Sequence, residues 1–315
     1  EIRTYDKFKS KAKGKLGARA DMLKKGKDKA KGKLGMNFSD PENLGRAFAR
    51  ADINTFRYMQ TLHIKKGREV DDSVHKGLVH HIRRAEHCLY IESQYFLGSA
   101  HCWSHHEDAK CNNLIPSEIT LKILEKIELG ERFAAYIVLP MWPEGIPEGG
   151  AVQQILYWQR YTIEYMYKTI SKALSDRRNA VRDGSQRGTF SAEDIAAHPT
   201  DYLNFYCLAT RETSLRSEAA HEPHPNNKAE QVLEKTRRHQ IYVHSKMAIV
   251  DDSVAIVGSA NVNQRSLDGA RDSEVLLGSY QPAHMADKHS IPHGDVHGFR
   301  MHCWATTLCK FEDVF

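Results

Sequence analysis

The run His244-Ser-Lys-Met-Ala-Ile-Val-Asp251, with Gly258-Ser-Ala-Asn261 following it, constrains this chain more than any other feature. It reads H-x-K-x4-D-x6-G-S-x-N. The residues from Ile241 to Val250 are rich in β-branched and apolar side chains, so a strand is expected there. Side chains two apart on a strand share a face, so His244 and Lys246 are expected to point into one cavity. Asp251-Asp252-Ser253 supplies turn residues, and Val254 to Val257 reads as the returning strand. Ser259 and Asn261 then return a hydroxyl and an amide beside the imidazole and the ammonium. A proton carrier or nucleophile, a fixed cation and two neutral hydrogen-bonding groups make a pocket suited to a phosphodiester.

Taken alone, H-x-K is a short motif that arises often by chance. The tail to Asn261 multiplies the constraints, and the whole resembles the HKD motif of the phospholipase D superfamily. The wording around it is similar to the plant-type members, and Val262-Asn-Gln-Arg-Ser-Leu-Asp-Gly-Ala-Arg-Asp-Ser-Glu274 continues the likeness. So do Leu89-Tyr-Ile-Glu-Ser-Gln-Tyr-Phe-Leu-Gly98, Asn113-Leu-Ile-Pro116, Pro140-Met-Trp-Pro-Glu-Gly145, Asp201-Tyr-Leu-Asn-Phe-Tyr-Cys207 and Gly278-Ser-Tyr-Gln-Pro282. The resemblance runs from about Ile53 to the last residue.

Bulk properties agree with a folded, water-exposed body. The chain has 315 residues, 41% of them hydrophobic and 27% charged, which is ordinary globular composition. That length allows one large or two ordinary domains. No stretch approaches the roughly 18 consecutive apolar residues of a membrane span, and the basic N-terminus lacks an apolar signal core. The six cysteines form no tight disulfide framework, so a reducing, cytoplasmic setting is expected, with peripheral attachment to membranes. The chain begins at Glu1 and is read as a segment of a longer polypeptide.

The net charge of +5 is concentrated in one place. Residues 1–35 carry 13 Lys or Arg against four Asp or Glu, a balance of +9, which leaves the remainder at −4. Lys-Ala-Lys-Gly-Lys-Leu-Gly occurs twice there, at 11–17 and 29–35. Low hydrophobicity, high charge and repeated glycine predict a disordered linker over 1–38. Such a segment serves either as a solvated spacer or as a contact to anionic lipid, at about 1 kcal/mol per basic residue near the surface. Nucleic acid is not an expected partner, because aromatic interleaving is absent.

From 39 to 315 the composition is globular. Helices are expected at Val74–Ala85, Ser117–Ile127 and Val152–Leu174, with Ser117 opening the second. Strands are expected at Leu89–Phe96, Phe133–Leu139 and Tyr202–Ala209, and Arg211–Gln240 reads as a polar, mobile loop. Alternating strands and helices predict an α/β layered fold. The resemblance implies a phospholipase D-like half, a mixed β-sheet flanked by helices, two of which make a full enzyme.

The resemblance also implies roles. The family's reaction is a double displacement at phosphorus: one imidazole attacks the phosphodiester, and a second protonates the departing oxygen. His244 resembles the second of these, the general acid/base. Lys246 would hold a phosphoryl oxygen, and Ser259 and Asn261 would complete the cradle. Asp251, at the turn, would order the motif rather than exchange protons. Glu274 resembles the carboxylate that orients the imidazole. Glu92 and Gln94, two apart, would lie on the floor of the site and bind substrate. Trp142, at an apolar loop tip, would touch a lipid interface.

Two further clusters invite and fail this reading. His63-Ile-Lys65 has Val70 where the motif needs an acid, and Lys66-Gly67 suggests a loop. His101, Cys102, His105, His106, Glu107, Asp108 and Cys111 offer metal-ligand types, yet their spacing fits no common zinc site. The chain therefore resembles a C-terminal half carrying the second motif only, its first motif and calcium-binding C2 domain absent. No cofactor is visible, and calcium is implied only through that C2 domain. The expected activity is hydrolysis of glycerophospholipids such as phosphatidylcholine to phosphatidate and a free alcohol, with transphosphatidylation as a side reaction. Its partners would be a phospholipid surface and either the missing half or a second copy. A lipid-binding decoy and a single-motif homodimeric phosphodiesterase or nuclease are the rival readings. Cys303-Trp-Ala-Thr-Thr-Leu departs from the plant-type pattern, where an acid and a histidine usually follow the tryptophan, and this bears on local support of the site.

Overall fold

A computed structural model describes residues 56–63, 70–185, 190–211, 231, 235–281 and 294–308. The expected linker over 1–38 and the boundary at 39 lie outside these residues, as does most of the expected loop 211–240. An eight-stranded sheet forms the centre, in the order β2-β1-β10-β9-β8-β3-β4-β5. Its members are β1 (Phe56–His63), β2 (Val70–Asp72), β3 (Cys88–Glu92), β4 (Ala134–Leu139), β5 (Leu203–Cys207), β8 (Met247–Val250), β9 (Val254–Gly258) and β10 (Glu274–Tyr280). Strands β3, β4 and β5 run parallel, and all other neighbours are antiparallel. A separate two-stranded ribbon pairs β6 (Ala209–Arg211) with β7 (Arg238–Gln240).

Three long helices cover one face. Helix α1 (Ser73–Arg84) turns Val74, Leu78, Val79 and Ile82 inward. In α2 (Ile115–Leu129), isoleucines 115, 119, 123 and 127 recur every four residues and bury one stripe. Pro116 occupies its first turn, and Gly130 ends it in a left-handed conformation (φ 67°). Helix α3 (Gly150–Arg182) adds Met166, Ile170 and Leu174. These pack on Leu89, Ile91, Ile137, Leu203, Val250 and Ile256 of the sheet. On the opposite face, α6 (Asp295–Leu308) lays Val296 and Cys303 over Tyr90, Val138, Met247 and Ile249. The short α4 (Ala192–Ala196) and α5 (Gln264–Leu267) lie between these elements in the chain.

The layered α/β architecture agrees with the sequence reading, and several boundaries differ. The strand expected over 241–250 is a strand only at 247–250, because its partner β3 ends at Glu92, opposite Met247. Helix α2 begins two residues before Ser117, whose hydroxyl lies 3.3 Å from the Cys102 thiol instead of capping the helix. Helix α3 continues past Leu174 to Arg182, since Arg177 reaches across to the Ile127 carbonyl at 3.1 Å. His63, read as a loop neighbour, closes strand β1. None of the described helices is long and apolar enough to cross a membrane.

Candidate active site

The site lies where parallel strands β3 and β4 end and where β8 begins, the end of a parallel sheet that commonly binds ligands. Glycine opens its construction. A Cβ on Gly258 would stand 2.1 Å from the Val275 carbonyl oxygen, so only glycine lets β9 approach β10 here. Ser259 then locks onto β10: its N–H donates to Val275 O, and its hydroxyl oxygen accepts from Val275 N–H, both at 3.0 Å. That hydroxyl in turn donates to the Glu274 carboxylate at 2.5 Å.

Three residues on, the chain pairs with the segment after β3 through a parallel bridge between Phe96 and Val262. This bridge brings Asn261 to Gln94. Gln94 N–H donates to Asn261 Oδ1 at 3.2 Å, and Asn261 Nδ2 donates to Gln94 Oε1 at 3.4 Å. Both side chains are buried (7% and 8% exposed), so their amides are held by each other rather than by water. Lys246 Nζ joins them, donating to Gln94 Oε1 at 3.3 Å and to the His244 carbonyl at 2.5 Å. Burial lowers the Lys246 pKa, and the nearby Glu274 charge opposes that shift.

His244 is exposed, its ring tilted beside Tyr242 with centroids 6.1 Å apart. The Tyr242 hydroxyl oxygen accepts from Gln94 Nε2 at 3.0 Å and from Glu144 N–H at 2.8 Å. Through Trp142 N–H to Gln240 Oε1 at 3.1 Å, the loop after β4 is tied to the same segment. Trp142 is half-buried, and Ile146 further along the same loop is 74% exposed.

The structure thus brings together Lys246, Gln94 and Asn261, with Ser259 and Glu274 adjoining; His244 joins them through its carbonyl, and its ring stands beside Tyr242. Glu274 bonds the Ser259 hydroxyl and faces Lys246 electrostatically; among the described residues it makes no hydrogen bond to His244. Glu92 and Gln94 part company, because β3 ends at Glu92 and the chain bends at Gln94: Glu92 accepts from Ser245, and Gln94 from Lys246. Asp251 stands at the other end of β8. There it accepts from the N–H groups of Glu86, His87 and Cys88 at 2.7, 2.7 and 2.9 Å. Asp251 and Asp252 both adopt left-handed φ (51° and 53°), which shapes the hairpin turn.

Tyr242 and Ser245 were not singled out from sequence. Ser245 was detectable, as a polar residue interrupting the apolar row Val243, Met247, Ile249 on the α6 face. The metal-type cluster near His101 disperses: His106 packs edge-on against Trp158 and Tyr161, and Cys102 turns to Ser117. Among the described residues no group of three or more His, Cys, Asp or Glu is arranged to hold a metal ion.

Comparison with known proteins identifies the family. The family model described as Phospholipase D matches residues 46–315. Phospholipase D beta 1 of Arabidopsis thaliana is 49% identical over 249 residues, 78% of this chain and 22% of its own length. Phospholipase D alpha 1 of Zea mays is 47% identical over 255 residues, covering 79% and 29%. Phospholipase D gamma 1 of Arabidopsis thaliana is 46% identical over 255 residues, covering 78% and 28%. The chain spans less than a third of the length of these relatives. A site built on the HKD motif, a model spanning most of the residues and near-half identity to plant members lead to one conclusion: the chain belongs to the phospholipase D family, in its plant-type branch.

Proposed function

We propose that the chain supplies the second half of a phospholipase D active site, cleaving the bond between phosphorus and the head-group oxygen of a glycerophospholipid such as phosphatidylcholine. The observation that carries this reading is the meeting of Lys246, Gln94 and Asn261 beside His244, a cationic, amide-lined corner with an imidazole at its rim.

In the first step an imidazole from a first HKD motif attacks phosphorus, and the P–O bond to the head group breaks. His244 gives its proton to the departing oxygen. In the second step His244 takes a proton from water while the water oxygen attacks phosphorus, and the P–N bond breaks to release phosphatidate. An alcohol in place of water gives transphosphatidylation. Lys246 offsets charge on the non-bridging oxygens in both steps. Glu274 and Ser259 hold the β9–β10 edge and keep a negative charge near Lys246. No step here requires a metal; calcium would act through a C2 domain elsewhere in the polypeptide. The exposed Ile146, with the half-buried Trp142 in the same loop, supports lodging of this loop in a lipid surface, a peripheral mode of attachment.

The test is head-group release from phosphatidylcholine vesicles, measured for this chain alone and mixed with a chain carrying a first HKD motif. Release only in the mixture, abolished by His244→Ala, supports the proposal. Release by the chain alone, with a dimer in sedimentation, supports a single-motif homodimeric phosphodiesterase instead. Silence in both, with vesicle binding kept, indicates a lipid-binding decoy.

A further inference from the structure

His244 and Ser245 lie in a stretch, 241–246, without regular secondary structure. Among the described residues its hydrogen bonds to other main-chain groups sit at its ends: Ile241 N–H to Leu208 O, and Gly258 N–H to Lys246 O, each 3.0 Å. Something else must fix the middle, because the reactive imidazole and the ammonium stand on either side of Ser245. The Ser245 hydroxyl donates to Glu92 Oε2. Glu92 Oε1 accepts the hydroxyl of Tyr90 at 2.6 Å, and Tyr90 is 1% exposed. Helix α6 closes over this chain of contacts through Cys303, whose thiol burial pushes up to about 12, the Glu92 charge adding to the effect. Burial, then that same charge, keeps the Tyr90 hydroxyl protonated and able to donate.

We propose that Glu92 is a positioning residue that latches the reactive segment through Ser245, so setting where His244 and Lys246 stand. The inference rests on the reading of those two residues as the reactive pair. Three observations point the same way. Both carboxylate oxygens of Glu92 are taken by hydroxyl donors from within the protein, and its charge would repel a phosphoryl group; it therefore holds the segment and does not bind the substrate anion. Ser245 and Glu92 are half-buried polar residues beside the apolar α6-side cluster that holds Tyr90, Val243 and Met247, where an unmatched hydroxyl or carboxylate would be costly. Lys246 Nζ is bonded to the carbonyl of His244, so a swing of the peptides flanking Ser245 displaces imidazole and ammonium together. The carboxylate also couples α6 to the site, because Cys303 and Thr307 of that helix touch the Glu92–Tyr90 pair electrostatically and by hydrogen bond.

The test is a nitrogen-15 NMR titration of the His244 ring in the full 315-residue chain, with tungstate as a phosphate-like probe, the signal being assigned with His244→Ala. Wild type is compared with Glu92→Gln, Ser245→Ala, Ser245→Thr and the Glu92→Gln/Ser245→Ala pair, with near-ultraviolet circular dichroism confirming that each is folded. Ser245→Ala is expected to shift the His244 ring titration and weaken tungstate by about five-fold. Ser245→Thr, which keeps the hydroxyl, restores both. The double variant matches Ser245→Ala, because one contact is lost only once. Unmoved His244 titration in folded Ser245→Ala and Glu92→Gln, or effects that add in the double variant, would overturn the latch. A wild type that ignores tungstate refutes the phosphoryl-site reading, and the His244 titration then still decides the latch.

Discussion

Asparagine in place of Asp251 separates the motif's acid from its chemistry. The carboxylate accepts three main-chain N–H groups, of Glu86, His87 and Cys88, where α1 gives way to β3. The first two bonds are exposed, so water replaces them at about 0.5 kcal/mol each; the third is partly buried, and a charge-assisted bond there is worth about 1.5–3 kcal/mol. Asparagine keeps one acceptor oxygen and tolerates the left-handed φ of 51°, so backbone strain does not confuse the result. The expected loss is about 2–3 kcal/mol, or a fall in Tm of about 4–12 °C for a domain of this size. Asp251→Ala should lose about 1 kcal/mol more, through left-handed strain. Five residues of extended chain put Asp251 about 17 Å from Lys246, far beyond proton-transfer range. Urea unfolding gives the stability, and head-group release with a first-motif chain, assayed below the lowered Tm, gives the chemistry. The reasoning expects a drop in rate of no more than about three-fold. An Asp251→Asn protein of wild-type Tm that loses activity by more than about a hundred-fold would refute it.

Three other substitutions or titrations probe the same frame. Because burial lowers the Lys246 pKa, affinity for inorganic phosphate should fall at a pH below the 10.5 of an ordinary lysine; titration by calorimetry showing affinity undiminished up to that value would contradict it. Asp252 and Arg300 form a buried pair (2% and 8% exposed), so Asp252→Asn should cost about 3 kcal/mol in urea unfolding by stranding the guanidinium. Burial alone would raise the Asp252 pKa, but Arg300 and His297 hold it below the usual carboxylate value. The stability it contributes is therefore complete above the unfolded carboxylate pKa and is lost as pH falls through the folded one, so Asp252→Asn should flatten the acid limb of Tm against pH. Gly258→Ala forces its Cβ against the Val275 carbonyl and should lower Tm by several degrees; an unchanged Tm would show that β9 and β10 can part without cost.

The hairpin was legible from local pattern alone: short apolar, β-branched runs on either side of Asp251-Asp252-Ser253 fold into β8, a left-handed turn and β9. Its upstream limit was not. Ile241 to Lys246 alternate as a strand does, yet pairing is a non-local property and β3 has already ended at Glu92. The same holds for the far end of α3, where the apolar stripe stops at Leu174 and a single buried arginine, Arg177, carries the helix on. In the site, His244, Lys246, Ser259 and Asn261 could be named because their spacing is fixed within one hairpin. Meeting Gln94 required the Phe96–Val262 bridge, which joins residues 166 apart. Glu92 was named from sequence for the floor of the site, but its tie to Ser245, the spacer between His244 and Lys246, joins residues distant in the chain and emerges only from the fold.

The most direct measurement is a crystal structure of the chain grown with tungstate, a tetrahedral oxyanion that stands for the phosphoryl group. The account predicts the anion in the corner formed by Lys246 Nζ and the Asn261 amide, with the His244 ring turned to meet it. Tungstate bound elsewhere, or a His244 ring directed away from an empty corner, would contradict it.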